Sequence, residues 1–335
     1  MYFRGCWSSL PRTILLMAVF GFFQRLPLLL RTFLGLLCLS SGSIGFLWWY
    51  LLPVDTEWTE IYRGVYYLSK YADDKKNGLN GQFVAVRVDL SNPAVRVLTR
   101  QMDAEAEKEG GHYLLTFPDR EVYARDLAVL ISTTPFSGCP RNTAGDVNTV
   151  GQGGEKKPFR GYEGYPGRII WSTEPVVSEG IATHVPKRCK LLWFNGTNRA
   201  HVARDLTSAC FAEMLNGGDM RYAVGFEILH VAEGEVIPTY RRIKFKRNRI
   251  LRPFIGIDAE GRFLYLMAFE SASIYGMAKT AVELGVYVGG QMDAGNTTWL
   301  VVGKNPRGVR PFTGIRGGRP IGAYLAVKSR ALPKG

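Results

Sequence analysis

The stretch QMDAGNTTWLVV (291–302) sets an acid, a glycine, an asparagine and two hydroxyls directly before a run of apolar residues. A bare connection between strands needs only a two-residue turn. Asp293 supplies a carboxylate there. Gly295 and Asn296 tolerate positive φ, so successive backbone N–H groups can turn toward an anion, with the Thr297 hydroxyl beside them. The plainer reading is that Asp293 closes an Asx-turn and Trp299 enters the core. A second candidate is the basic run RRIKFKRNRILR (241–252), which ends at Arg252. Arg252 suits an anion such as phosphate because its planar fork donates in pairs. Most of the run reads as a solvated strand, with Ile243 and Phe245 inward and Lys244 and Lys246 outward.

The elements that must hold these residues are mainly strands. FVAVRVDL, from Phe83, and AVRVLTR, from Ala94, alternate with period two on either side of Ser91-Asn92-Pro93. DLAVLIS (126–132), RIIW, KLLWF and YAVGFEIL read as further strands, the last leading into the turn AEGE. FIGID and FLYLMAF flank the turn Asp258–Arg262 as a hairpin. IYGMAKTAVELGV gives the clearest helix, with Met277, Ala281 and Leu284 on one face. Residues 102–112 read as an acidic connection, and 138–168 as a long loop of the kind that is functional or mobile. Many strands, few helices and no strand–helix repetition give an α+β domain with a mostly antiparallel sheet.

The chain has 335 residues and a formal charge of +13. From Thr32 to Leu52 there are 21 residues without a charge, enough to cross a bilayer as a helix. Arg4, Arg12, Arg25 and Arg31 precede it with no acid, while Asp55, Glu57 and Glu60 follow. That asymmetry places the N-terminus in the cytoplasm and the domain outside it. The expected organisation is a basic amphipathic lead-in (1–31), a signal anchor (32–53), a juxtamembrane connection with one early strand (54–80) and one exported domain (81–330). A cleaved signal is disfavoured because LWWYLL follows where polar sequence is expected.

The exported part stays basic, with 38 Lys and Arg against 29 acids, so an anionic partner is expected: a phosphate-bearing glycan, lipid headgroups or an acidic polysaccharide. No nucleic-acid-binding pattern is present. Neither GxxxxGK[ST] nor GxSxG nor HExxH occurs, and the four histidines lack ligand spacing, so neither a cofactor nor a metal is expected. GQGGEKK (151–157) reads as loop. Cys139, Cys189 and Cys210 fall outside the membrane; one disulfide, with Cys189–Cys210 favoured, competes with three buried thiols.

Five blocks together resemble the phosphodiester glycosidase family, over roughly residues 60–330. VRVDLSNPAVRV (86–97) is similar to its opening strand pair, RPFIGIDAEGRFLYLMAFE (252–270) to its hairpin, and GMAKTAVELGV (276–286) to the helix before its signature. QMDAGNTTWLVV resembles the signature loop, with Ala294-Gly295-Asn296 where the family carries three glycines, and RPIGAYLAV (319–327) resembles the closing strand. The family's Asn-Gly-Gly-Phe-Phe segment falls on Ser132-Thr133-Thr134-Pro135-Phe136. The resemblance implies hydrolysis of a sugar-1-phosphodiester at the anomeric carbon. On that reading Asp293 is the carboxylate facing the oxocarbenium-like centre and Glu270 the second carboxylate. Arg252, Arg319, Gly295, Asn296, Thr297, Ser132 and Thr133 hold the substrate. The alternative is a catalytically lapsed relative that binds an anionic envelope polymer.

Overall fold

The computed structural model describes residues 57–138, 166–303 and 314–332. The expected anchor, Cys139 and GQGGEKK lie outside those residues, as does nearly all of the long loop. Among the described residues every strand pairing is antiparallel, and short helices accompany four sheets of eight, five, four and three strands. The chain is α+β and mostly antiparallel.

The eight-stranded sheet forms the frame. It begins with Thr59–Tyr62 and Val65–Ala72, continues through Gly81–Asp89, Phe263–Ala272, Ile250–Ile257 and Val288–Gln291, and ends with Ile228–Ala232 and Glu235–Val236. Two strands of this sheet therefore lie before residue 81. Alternation along them builds two cores. Val84, Val86, Val88, Ile255, Leu264 and Leu266 face Val129, Ile131, Leu325 and Val327 of the four-stranded sheet and Leu192 and Val224 of the five-stranded one. Phe83, Ala85, Phe254, Met267 and Phe269 point the other way, under Met277, Ala278 and Ala281. Those last residues lie on the helix Ile274–Glu283, whose N-terminus is capped by Ser273, its hydroxyl accepting from the Gly276 N–H at 3.0 Å.

Several expectations are corrected. The strands Gly81–Asp89 and Arg96–Thr99 do not pair with each other; the second joins Tyr324–Lys328 in the four-stranded sheet. YAVGFEIL is two strands, Tyr222–Gly225 in the five-stranded sheet and Ile228–Ala232 in the eight-stranded one, with Phe226 and Glu227 at the crossing. The acidic connection contains the short helix Ala104–Lys108, and Pro118–Arg125 and Ser208–Asn216 are also helical.

The basic run is not an alternating strand before Ile250. Pro238–Arg241 and Ile243–Lys246 are two 3-10 turns, and Ile243 is 67% exposed. Tight turns bring Tyr240 and Phe245 edge to face at 5.1 Å, with Tyr240 also against His230. Ring packing thus replaces strand pairing. Cys189, on the strand Arg188–Phe194, and Cys210, on the helix Ser208–Asn216, are both free thiols, so the favoured disulfide is not formed.

Candidate functional site

The loop 292–299 carries the chain from the eight-stranded sheet to the four-stranded one, between Val288–Gln291 and Leu300–Val302. Both sheets hold it. The Asp293 N–H donates to the Thr133 carbonyl at 2.8 Å, just past the end of Val129–Ser132. From the other side, the Met292 N–H donates to Pro253 O at 3.2 Å and the Gly295 N–H to Leu251 O at 2.8 Å. Gly295 has φ +85, a conformation that a side chain would strain. Its N–H is thereby spent on Leu251. The N–H groups of Asn296 and Thr297 have no acceptor among the described residues, so the pair that can face an anion lies one residue later than expected.

Asp293 is half-buried. Burial pushes its carboxyl up to about 6, with the Glu227 carboxylate adding to the effect. The Thr297 hydroxyl and the Arg319 guanidinium work in the opposite direction. That hydroxyl also lies 3.3 Å from Ala294 O. Arg319 is fixed from both ends of its backbone: its N–H donates to Asn296 O at 3.1 Å, and its carbonyl accepts from the Trp299 indole at 2.7 Å. Trp299 itself is 5% exposed and packs edge to face on Phe117. It is core, and its ring positions the Arg319 backbone.

Arg252 is 3% exposed, and its donors are engaged by the protein. Nε donates to Ala272 O at 2.8 Å, Nη2 to Asn248 O at 3.4 Å, and Nη1 to the Gln291 side-chain oxygen. Burial pulls its guanidinium down to about 10. Gln291 in turn donates from Nε2 to Glu227 Oε2 at 3.0 Å. Arg252 therefore orients Gln291, and Gln291 orients Glu227.

Glu227 is the residue that sequence reading missed. It sits at the crossing between two strands that the sequence presents as one apolar run. An acid two residues after Gly225 was the available signal. Glu174 is a third carboxylate in the group; burial raises its pKa, Lys190 opposes this, and Glu227 adds to it. A side chain at Gly225 would strike Glu174 Cβ, 2.7 Å from the position a Cβ would take. The bare glycine lets Glu174 pack against the strand.

The remaining expected residues divide. Ser132 is buried, and its hydroxyl accepts from the Trp299 N–H at 2.9 Å, so it locks the loop to the strand. The Thr133 hydroxyl is buried with no partner among the described residues. Glu270 is not brought to Asp293: it is exposed, and its carboxylate accepts from the Gln82 N–H at 2.9 Å. Asn296 is exposed on the loop. Among the described residues no group of three or more His, Cys, Asp or Glu is arranged to hold a metal.

This arrangement offers one carboxyl poised near neutrality, a second carboxylate within electrostatic reach of it, a guanidinium and two backbone donors. No family model and no curated protein matches the chain. Solved structures do. The catalytic domain of zebrafish N-acetylglucosamine-1-phosphodiester alpha-N-acetylglucosaminidase, auto-inhibited by its pro-peptide, is similar over 80% of this chain and 84% of that one, with TM-score 0.52 and 13% identity. A hypothetical protein from Synechocystis is similar over 80% and 62%, with TM-score 0.46 and 12% identity. A protein assigned as exported from Burkholderia pseudomallei K96243 is similar over 76% of each chain, with TM-score 0.47 and 10% identity. What the first of these carries to this chain is a distant relationship of fold.

Proposed function

We propose that the chain is a membrane-anchored hydrolase that cleaves the glycosidic bond of a sugar-1-phosphodiester in an exported glycan or glycoconjugate. The observation that supports this best lies at the loop: burial pushes Asp293 up to about 6, with Glu227 near enough to add to the shift and Arg319 near enough to oppose it. Two carboxyls in different environments are the usual means of dividing acid, base and charge-stabilising roles at an anomeric carbon.

In this reading Arg319 and the N–H groups of Asn296 and Thr297 receive the phosphate. Asp293 faces the anomeric carbon. As the bond from that carbon to the phosphate oxygen breaks, the electron pair leaves with the phosphate, which needs little proton assistance because it carries the charge well. Asp293 offsets the positive charge left on the sugar and takes a proton from the incoming water. Glu227 replaces Glu270 as the second carboxylate. Arg252 positions these groups through Gln291. The apolar run 32–53 keeps the domain at the outer face of the membrane.

The test is sugar release from a panel of sugar-1-phosphodiesters. Asp293→Asn should lower turnover by about two orders of magnitude or more. Equal turnover by that variant, with a folded melt, would remove Asp293 from the chemistry. The second reading, a lapsed relative that binds an anionic polymer, is favoured by Arg252, whose donors are committed to the protein. It takes over if the wild type cleaves nothing yet binds anionic glycan in a salt-sensitive manner.

A further inference from the structure

The segment between Val236 and Ile250 carries Arg241, Arg242, Lys244, Lys246, Arg247 and Arg249, with no acid from residue 237 to 252. Arg241 pairs with Glu235 at 2.7 Å. Among the described residues none of the other five makes an ion pair; Lys246 lies over the Tyr275 ring at 4.3 Å and Lys244 over Phe245 at 4.8 Å. Ile243 stands out among these charges, 67% exposed. Among the described residues no other large apolar side chain is more exposed.

Strand register shows which end of the sheet this is. Ile250 is opposite Ala272, Phe269 is opposite Phe83, and Gly81 is opposite Ala72. All lie at one end. Lys246 O sits over Gly78, in the turn between the second and third strands, 2.6 Å from where a Cβ there would be. Tyr71, 64% exposed, Lys75 and Lys76 are at the same end, with Asp73 and Asp74 as the local acids. The chain enters from there as well. Thr59 is opposite Tyr67 in an antiparallel pair, so going back from Thr59 the strand heads toward the Ala72 end. Four strand spacings separate Thr59–Tyr62 from Ile250–Ile257, about 19 Å.

The apolar run of the sequence stops at Leu52, and the five residue steps from there to Glu57 reach at most about 18 Å. We infer that this end of the domain docks on an anionic lipid bilayer, with Ile243 entering the headgroup layer and the basic residues around it meeting lipid phosphates. The inference rests on the membrane anchoring in the proposed function and deepens it. The loop 293–297 runs beside residues 251–253 at the same end. Docking therefore turns the Asp293 site toward the membrane surface, and the matching substrate is a sugar phosphodiester carried by a lipid. Amphipathic surfaces of basic residues with an apolar tip bind in this manner, and their affinity falls as salt screens the charges.

The experiment uses the full chain in nanodiscs of phosphatidylglycerol or phosphatidylcholine, read by hydrogen exchange at residues 238–249 and 71–77. Protection is expected in phosphatidylglycerol and not in phosphatidylcholine. It should fall about tenfold or more on combined Arg242→Glu, Lys244→Glu and Arg247→Glu, and also on Ile243→Asp alone. The same charge-reversed variant should hydrolyse a water-soluble diester like the wild type, so a failure of docking and a failure of catalysis are read separately. Equal exchange in both lipids overturns the inference. So does protection that survives charge reversal, or a chain that does not stay with the disc.

Discussion

Gln291 donates from Nε2 to Glu227 Oε2 at 3.0 Å while its side-chain oxygen accepts from Arg252. One amide thus joins a buried guanidinium to an exposed carboxylate, using the donor for one and the acceptor for the other. Gln291→Leu breaks both bonds and leaves a buried cationic donor unmet, at a cost of about 2–4 kcal/mol. Gln291→Glu keeps an acceptor for Arg252 but sets a second carboxylate against Glu227. Its denaturation midpoint should stay near that of the wild type while diester hydrolysis falls at least about tenfold. If Gln291→Glu unfolds as readily as Gln291→Leu, Gln291 does not connect the two groups in the way described.

Asp293 carries a cost of ionisation that its asparagine variant lacks. Its carboxyl titrates at about 6 in the fold and at about 3.9 in an unfolded chain. The folded state therefore holds the proton more tightly, and this contribution to stability is lost as pH rises from about 4 to 6. Asp293→Asn should match or exceed wild-type stability above pH 6, by about 1–2 kcal/mol, while losing turnover. Chemical denaturation at several pH values checks this. A variant less stable than wild type at pH 7 would show that the carboxylate is a structural cap.

The sequence makes the strands legible and their partners illegible. Period-two alternation marks Gly81–Asp89 and Phe263–Ala272 because each separates two apolar cores, with Val86 and Leu266 on one face and Ala85 and Met267 on the other. Alternation says nothing about which sheet a strand joins. Arg96–Thr99 therefore looked like the partner of its neighbour, and Tyr222–Ala232 like one strand. The same ambiguity hid Glu227, which becomes a site residue only because the chain changes sheets at that point. Asp293 was legible from its loop. Arg252 reads locally as an anion binder, yet the register that buries it opposite Phe269 and beside Ala272, with its donors spent on the protein, has no trace in its own neighbourhood of sequence. The basic run misled for a related reason, since Phe245 packs on Tyr240 and Tyr240 on His230, a contact from a distance no local period encodes.

The two described thiols should react very differently. Cys210 is exposed, whereas Cys189 is buried with its thiol pushed up to about 11 by burial, then by Glu174 and Asp205. Thiolate is the reactive form. Maleimide at pH 7.5 should label Cys210 in the native protein and Cys189 only after unfolding, as read by peptide mass without reductant. Absence of both free thiols, with a cross-linked peptide joining them, would contradict the separation seen here.

His230 should set the acid limit of stability. Its ring is fully buried, and neither nitrogen has a hydrogen-bond partner among the described residues; Tyr240 covers it edge to face at 4.4 Å. Burial, helped by the Arg252 charge, lowers its pKa to about 3, against about 6.5 when unfolded. The unfolded chain takes up this proton first, so the stability His230 contributes is full above about pH 6.5 and lost as pH falls toward 3. Between pH 4 and 6 that slope opposes the one from Asp293, and the two nearly cancel. Single variants should therefore tilt the pH profile in opposite directions. His230→Phe should gain on the wild type as pH falls, by about 2–3 kcal/mol at pH 4 relative to pH 7, whatever constant offset its larger ring adds. Denaturation midpoints at pH 4, 5, 6 and 7 measure it. If the difference between His230→Phe and wild type does not change with pH, the histidine already holds a proton or a partner in the fold, and the burial argument for it is wrong.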